Sequence, residues 1–323
     1  MERQQTVEDD HPDQCCATSP LRFSLQDWWI ITKLSYREIE EDNVVIIAAG
    51  VAFFSMLAIF PMITAGLSIY GFFADPAVAQ QQLYTISDLL PEDVWALINE
   101  QVMAVTGSAN KAIGFKIALG IIAAIWAAGA GIRAMMRGLN IAYGEVDNRN
   151  FFVKSILALA FTIGAVMMML ISLTVIIGVP SALMVFQLDG ITAKLTKILP
   201  WGLLVFAFAL ACTILYRYGP NRRPAKLRWV LPGVLFSTLA WLCISGAFST
   251  FVSAFGTYNK TYGSLGAVMV LLVWLWLTNF VIIMGAEING EMERHTSKDS
   301  TRGPDRPIGQ RGAAMADFVS VHH

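Results

Sequence analysis

Long apolar runs alternate along this chain with short segments that concentrate its charge. Six runs stand out, at about 44–73, 113–132, 153–180, 200–217, 229–253 and 265–288. Crossing the hydrocarbon core as a helix takes about 20 residues. The sixth run is the most sharply bounded, with no charge from Thr261 to Ala286. A polar, glycine-bearing turn (Tyr258 to Gly266) precedes it, and Glu287, Asn289 and Glu291 close it. Pro61 inside the first run predicts a kink. The second run is rich in Ala and Gly, which lets helices approach closely. The pattern predicts an all-α polytopic membrane protein: a six-helix transmembrane bundle spanning residues 24–293.

Two connecting segments carry helical amphipathic patterns and predict helices lying at the membrane interfaces. In the first, Ser24 and Asp27 form a capping box. A helix to about Glu41 follows, with Trp28 and Trp29 suited to the headgroup region. In the second, Pro91 opens a segment whose Val94, Leu97, Ile98, Val102 and Val105 fall on one face. Residues 1–23 and 294–323 are polar, with prolines and no periodicity, and predict disordered tails. The N-terminus has no cleavable signal pattern, so the first span is expected to serve as the insertion signal.

Composition agrees with the pattern. Of 323 residues, 55% are hydrophobic and 15% charged, against about 25% charged in soluble domains. The mean hydropathy is +0.56. Net charge is −1, which leaves no global field to attract nucleic acid. Charge distribution orients the spans. With both termini inside, 18 of the 23 Lys and Arg fall on the inner side, the expected sense for the cytoplasm.

Candidate chemistry is sparse. All four histidines (His11, His295, His322, His323) lie in the tails, so the bundle offers no His for a triad or a metallohydrolase. Ser264 lacks the first glycine of a nucleophile elbow, and no phosphate-binding glycine loop occurs. The four cysteines have no metal or disulfide spacing. No catalytic, cofactor or metal residue is expected. The polar candidates are Arg133, Arg137 and Asn140 after the second span, Tyr258, Asn259 and Tyr262 in the outer turn, and Glu287 and Asn289 at the inner end of the sixth. Glu287 reads either as a gate or cation site, or as an anchor held by a basic partner. Arg133 or Arg137 is the expected partner of Glu287 or Glu291. Asn140 and Asn289 are expected to bond across helices. Arg217, Arg222, Arg223, Lys226 and Arg228 form a basic loop that either sets topology or attracts anionic lipid headgroups, at about 1 kcal/mol each. The implied partner is the lipid bilayer.

Four stretches carry a family resemblance: AGVAFFSMLAIFP (49–61), RGLNIAYG (137–144), LYRYGPNRR (215–223) and the run from Tyr258 to Asn289. Through them residues 25–293 resemble the YihY/virulence factor BrkB family of bacterial inner-membrane proteins. The resemblance implies six helices with cytoplasmic termini. Its members have carried the label ribonuclease BN, for which no nuclease site can be assembled here. Some are associated with envelope integrity. The function expected is transport or export of a lipid or amphiphile; the alternative is a non-catalytic membrane component supporting the envelope through partners.

Overall fold

The computed structural model describes residues 19–73, 126, 129–185, 191–254 and 264–318. Among them the fold is helical with no strand, apart from one isolated bridge between Ala225 and Thr301. The segment around Pro91, most of the second apolar run and the turn holding Tyr258, Asn259 and Tyr262 lie outside the described residues.

Helix α1 (Leu25–Glu41) starts where the capping box predicts. The Ser24 hydroxyl accepts from the Asp27 amide at 3.1 Å, and the Asp27 carboxylate accepts from the Ser24 amide at 2.8 Å. Ile31, Ser35 and Ile39 form its buried face, one turn apart. Leu25 and Trp29 remain exposed. Asn43 then takes a positive φ of 53°, which Asn tolerates better than most side chains. The chain turns there by 64° into α2 (Val44–Phe73).

Residues 129–142 form α3. It ends on Gly144, whose φ of 60° fits a helix stop that only glycine makes cheaply. The Gly144 amide bonds Ile141 O at 2.8 Å, and the Glu145 amide bonds Asn140 O at 2.7 Å. Three long helices follow: α4 (Phe151–Val185), α5 (Ile191–Tyr218) and α6 (Leu227–Ala254). Helix α7 (Ser264–Arg294) completes the bundle. Helices α4 to α7 are each long and apolar enough to cross a membrane, and the bent α1–α2 pair makes a fifth candidate.

Helix α7 is the central element, packed on α2, α6 and α1. Its Ile282, Ile283 and Ala286 join Val44, Ala48 and Val51 of α2, Leu139 of α3, Tyr216 of α5 and Val234 of α6 in one buried cluster. Gly233 of α6 meets Gly285 of α7 backbone to backbone. A Cβ on Gly233 would collide with Gly285 O, and one on Gly285 with the Ser237 hydroxyl. Close approach through small residues is how helices associate where lipid removes the hydrophobic drive.

The C-terminal segment corrects the expectation of a disordered tail over 294–323. Residues 295–318 lie across one end of the bundle, finish in a short α8 (Ala314–Asp317), and bury Asp299, Ser300 and Thr301. The Lys226 amide bonds Ser300 O and the Arg302 amide bonds Pro224 O, both at 2.8 Å; the Arg223 amide bonds Gly312 O at 2.9 Å. Gly- and Pro-rich polar chain cannot bury enough of itself to fold alone. Here its partners come from the loop between α5 and α6, which local composition cannot reveal.

Candidate functional site

The end of the bundle under this segment collects most of the buried polar groups described. Its innermost layer joins α5, α6 and α7. Tyr216 donates its hydroxyl to Ile282 O at 2.7 Å and lies 2.7 Å from the Ser237 hydroxyl, which itself bonds Val281 O at 3.0 Å. Two turns further along α7, Asn289 reads the backbone around Pro232, the proline inside α6. Its side-chain oxygen accepts from the Gly233 amide at 2.8 Å. Its nitrogen donates to Val230 O at 3.1 Å and to the Tyr143 hydroxyl at 3.3 Å. Proline breaks the helical ladder, and the side-chain amide of Asn289 bonds backbone groups on either side of it.

The second layer is an ion pair closed off from water. Arg222 Nη2 lies 2.6 Å from Glu293 Oε2, with side chains 1% and 0% exposed. Ser300 donates to the same carboxylate oxygen at 2.6 Å. The guanidinium stacks on the Tyr143 ring, 4.8 Å from its centroid. Burial opposes the charge on Arg222, but Glu293 outweighs it and holds the guanidinium above its ordinary pKa. Burial, then Glu293, pushes the Tyr143 phenol up, so it stays neutral and can accept from Asn289.

The third layer is acidic and lies where α1 meets α7. Arg294 bridges Glu291 at 2.6 Å and Glu38 at 3.1 Å. Glu287, one turn before Glu291, is 1% exposed, and its Oε1 has no hydrogen-bond partner among the described residues. Neither Arg133 nor Arg137 forms an ion pair there, which corrects the partner expected from their level in the chain. Arg137 points outward and is exposed, while the Arg133 guanidinium folds back over Gly129. The faces and levels that two helices present to one another are set by their packing, which sequence separation alone does not give.

Asn140 bonds across segments, not to Asn289. Its side-chain oxygen accepts from the Asn221 amide at 2.6 Å, tying α3 to the loop after α5. The basic loop divides. Arg222 is buried; Arg223 faces Asp299 at 3.9 Å, and Lys226 pairs with Asp305 at 2.7 Å. These three are taken up by acids of the C-terminal region, so of the five expected lipid contacts Arg217 and Arg228 are left without an acidic partner among the described residues. Glu38, Tyr143, Tyr216, Ser237, Glu293 and Arg294 were not singled out from sequence. One legible signal was the small-xxx-small spacing of Gly233 and Ser237.

These features define an all-α membrane protein whose spans are locked at one polar end. The family model described as "Virulence factor BrkB" matches residues 35–308, and the chain belongs to that family. It is 30% identical to a Bacillus subtilis protein named as ribonuclease-like, YfkH, over 76% of this chain and 89% of that one. It is 24% identical to a UPF0761 membrane protein of Pseudoalteromonas translucida, over 80% of this chain and 85% of the relative. A UPF0761 membrane protein of Alteromonas mediterranea is 26% identical over 77% and 82%. No solved structure matches the chain significantly.

Proposed function

We propose that this protein moves a lipid or amphiphilic substrate across a bacterial inner membrane, without catalysing a covalent reaction. In this reading the bundle has six spans, α1 lies at the interface, and both termini are cytoplasmic, as the distribution of Lys and Arg argues. The single observation that carries it is Glu287. A carboxylate at the end of a membrane span, buried and with one oxygen unbonded, costs stability that a mere anchor would not need. The anchoring partners expected from sequence do not reach it, whereas nearby Glu291 has Arg294. Glu287 is then the residue whose charge state or contacts change as substrate passes.

The test is reconstitution in liposomes with a lipid-flip assay and a solute-uptake panel, comparing the unaltered protein with Glu287→Gln. Flux from the unaltered protein, cut about tenfold or more by Glu287→Gln, is the expected result, since about 1.4 kcal/mol corresponds to each factor of ten. Absence of flux for every substrate class would overturn the reading and leave the non-catalytic envelope component in its place.

A further inference from the structure

The side of the bundle away from α7 carries a second feature, unconnected with Glu287. Helices α4 and α5 run side by side and leave a groove of about 540 Å³ between them. That lies within the range of about 300–1,000 Å³ that ligand sites occupy. Leu157, Phe161, Met168, Leu203, Phe206 and Ile214 are among its lining residues, nearly all of them apolar. Along α5 the lining extends from Leu203 to Tyr218. At 1.5 Å per residue that is about 22 Å, longer than one leaflet of the hydrocarbon core at about 15 Å. Gly164 lies in its wall with open space where a Cβ would go.

The end of the groove at Tyr218 is cationic. Arg217 sits over the Tyr218 ring, 5.5 Å from its centroid, and its Nε is buried without a hydrogen-bond partner. The neighbouring cations are already neutralised. Arg222 has Glu293, Arg223 has Asp299, Lys226 has Asp305, and Arg149 and Lys154 share Asp147. Arg217 has no acid partner among the described residues. A slot longer than a leaflet, nearly all apolar, with an unpaired guanidinium beside its Tyr218 end, matches one kind of molecule in a bilayer.

We propose that the groove between α4 and α5 binds an anionic phospholipid, one acyl chain lying along Leu203 to Tyr218 and the phosphate against Arg217. Tyr218 supplies the amphipathic rim between chain and headgroup. The lipid is resident, and the site needs no transport to be occupied. Arginine suits the phosphate because its planar fork can make two parallel bonds.

The full-length protein, purified in mild detergent and returned to nanodiscs, is tested with phosphatidylglycerol against phosphatidylethanolamine. Native mass spectrometry should find phosphatidylglycerol retained in preference. Arg217→Gln should weaken that preference about fivefold, the effect of about one basic residue at a membrane surface. Gly164→Leu, which fills the groove from its wall, should lower retention of both lipids. A photoactivatable phosphatidylglycerol on the unaltered protein needs no variant, and should label α4 and α5 lining residues. Equal retention of the two lipids would overturn the proposal. So would labelling spread evenly over the bundle, or cross-links showing residues 113–128 or a second copy seated in the groove. Loss of lipid selectivity in Arg217→Gln with Glu287-dependent flux intact would support this site alone. Absence of flux from the unaltered protein with its lipid selectivity intact would sink only the transport reading.

Discussion

The α6–α7 seam and the α4–α5 pair are both helix contacts within one membrane bundle, yet they are built on opposite rules. At the seam, Gly233 and Gly285 bring two backbones together, and Tyr216, Ser237 and Asn289 hydrogen-bond across the gap. Between α4 and α5, a groove remains whose lining mixes large apolar side chains such as Phe161, Met168 and Phe206 with small ones such as Ala160, Gly164 and Ala207. Lipid tails are as apolar as leucine, so apolar contact alone gives no reason to exclude lipid. Close packing and polar bonds do. The seam is therefore closed, and the groove is where the proposed lipid would lie.

The comparison is broken most severely at the seam. Gly285→Leu should prevent folding or lower stability by more than about 3 kcal/mol, because backbone and a hydroxyl occupy the space. Thermal unfolding in detergent measures it. Arg222→Met comes next, at about 3–5 kcal/mol, since it strands the buried Glu293 charge. Adding Glu293→Leu should recover most of that loss; a double variant as unstable as the single would show that the pair is not the cause. Asn289→Ala removes three bonds, each worth about 0.6 kcal/mol on average, for about 2 kcal/mol.

A smaller effect is expected with pH. Burial opposes ionisation of Asp299, but Thr301, the Arg306 amide and Lys226 hold its carboxyl below the ordinary carboxylate value. A depressed native pKa stabilises the seat above the unfolded value of about 3.9 and loses that contribution as pH falls through the native one. Protection factors of the amides in residues 299–306, measured by hydrogen exchange and corrected for the intrinsic rate at each pH, should fall below about pH 4, ahead of those in α7. The smallest effect belongs to the groove. Gly164→Ala meets nothing within 4 Å and should change stability by no more than about 1 kcal/mol, in the stabilising direction that helix propensity gives. A large loss there would mean that the groove is packed like the seam.

Much of the helical architecture could be read locally. The Ser24–Asp27 box places the start of α1 because its bonds span three residues. The apolar runs place α4 to α7, although α5 starts nearer Ile191 than 200 and α7 continues to Arg294, past 288. Hydropathy marks where lipid can be met, not where the hydrogen-bonded helix stops. The polar end was less legible. Glu287, Asn140 and Asn289 stand out as polar residues beside apolar runs. Their partners do not, because Asn140 meets Asn221 and Asn289 meets Gly233 through rotations that no local pattern encodes.

What the sequence determined by itself is the class of the protein: an all-helical membrane chain of the BrkB family, written in apolar runs and four short motifs. Only the tertiary structure decided which charges are free. Arg222 and Arg217 lie five residues apart in one basic stretch of sequence, and nothing in composition separates them. Arg222 finds Glu293, 71 residues away, while Arg217 finds the face of Tyr218 and no acid among the described residues. Helix formation is a local matter of backbone bonds and side-chain polarity. The pairing of buried charge depends on which faces distant helices, and a C-terminal segment with no pattern of its own, present to one another.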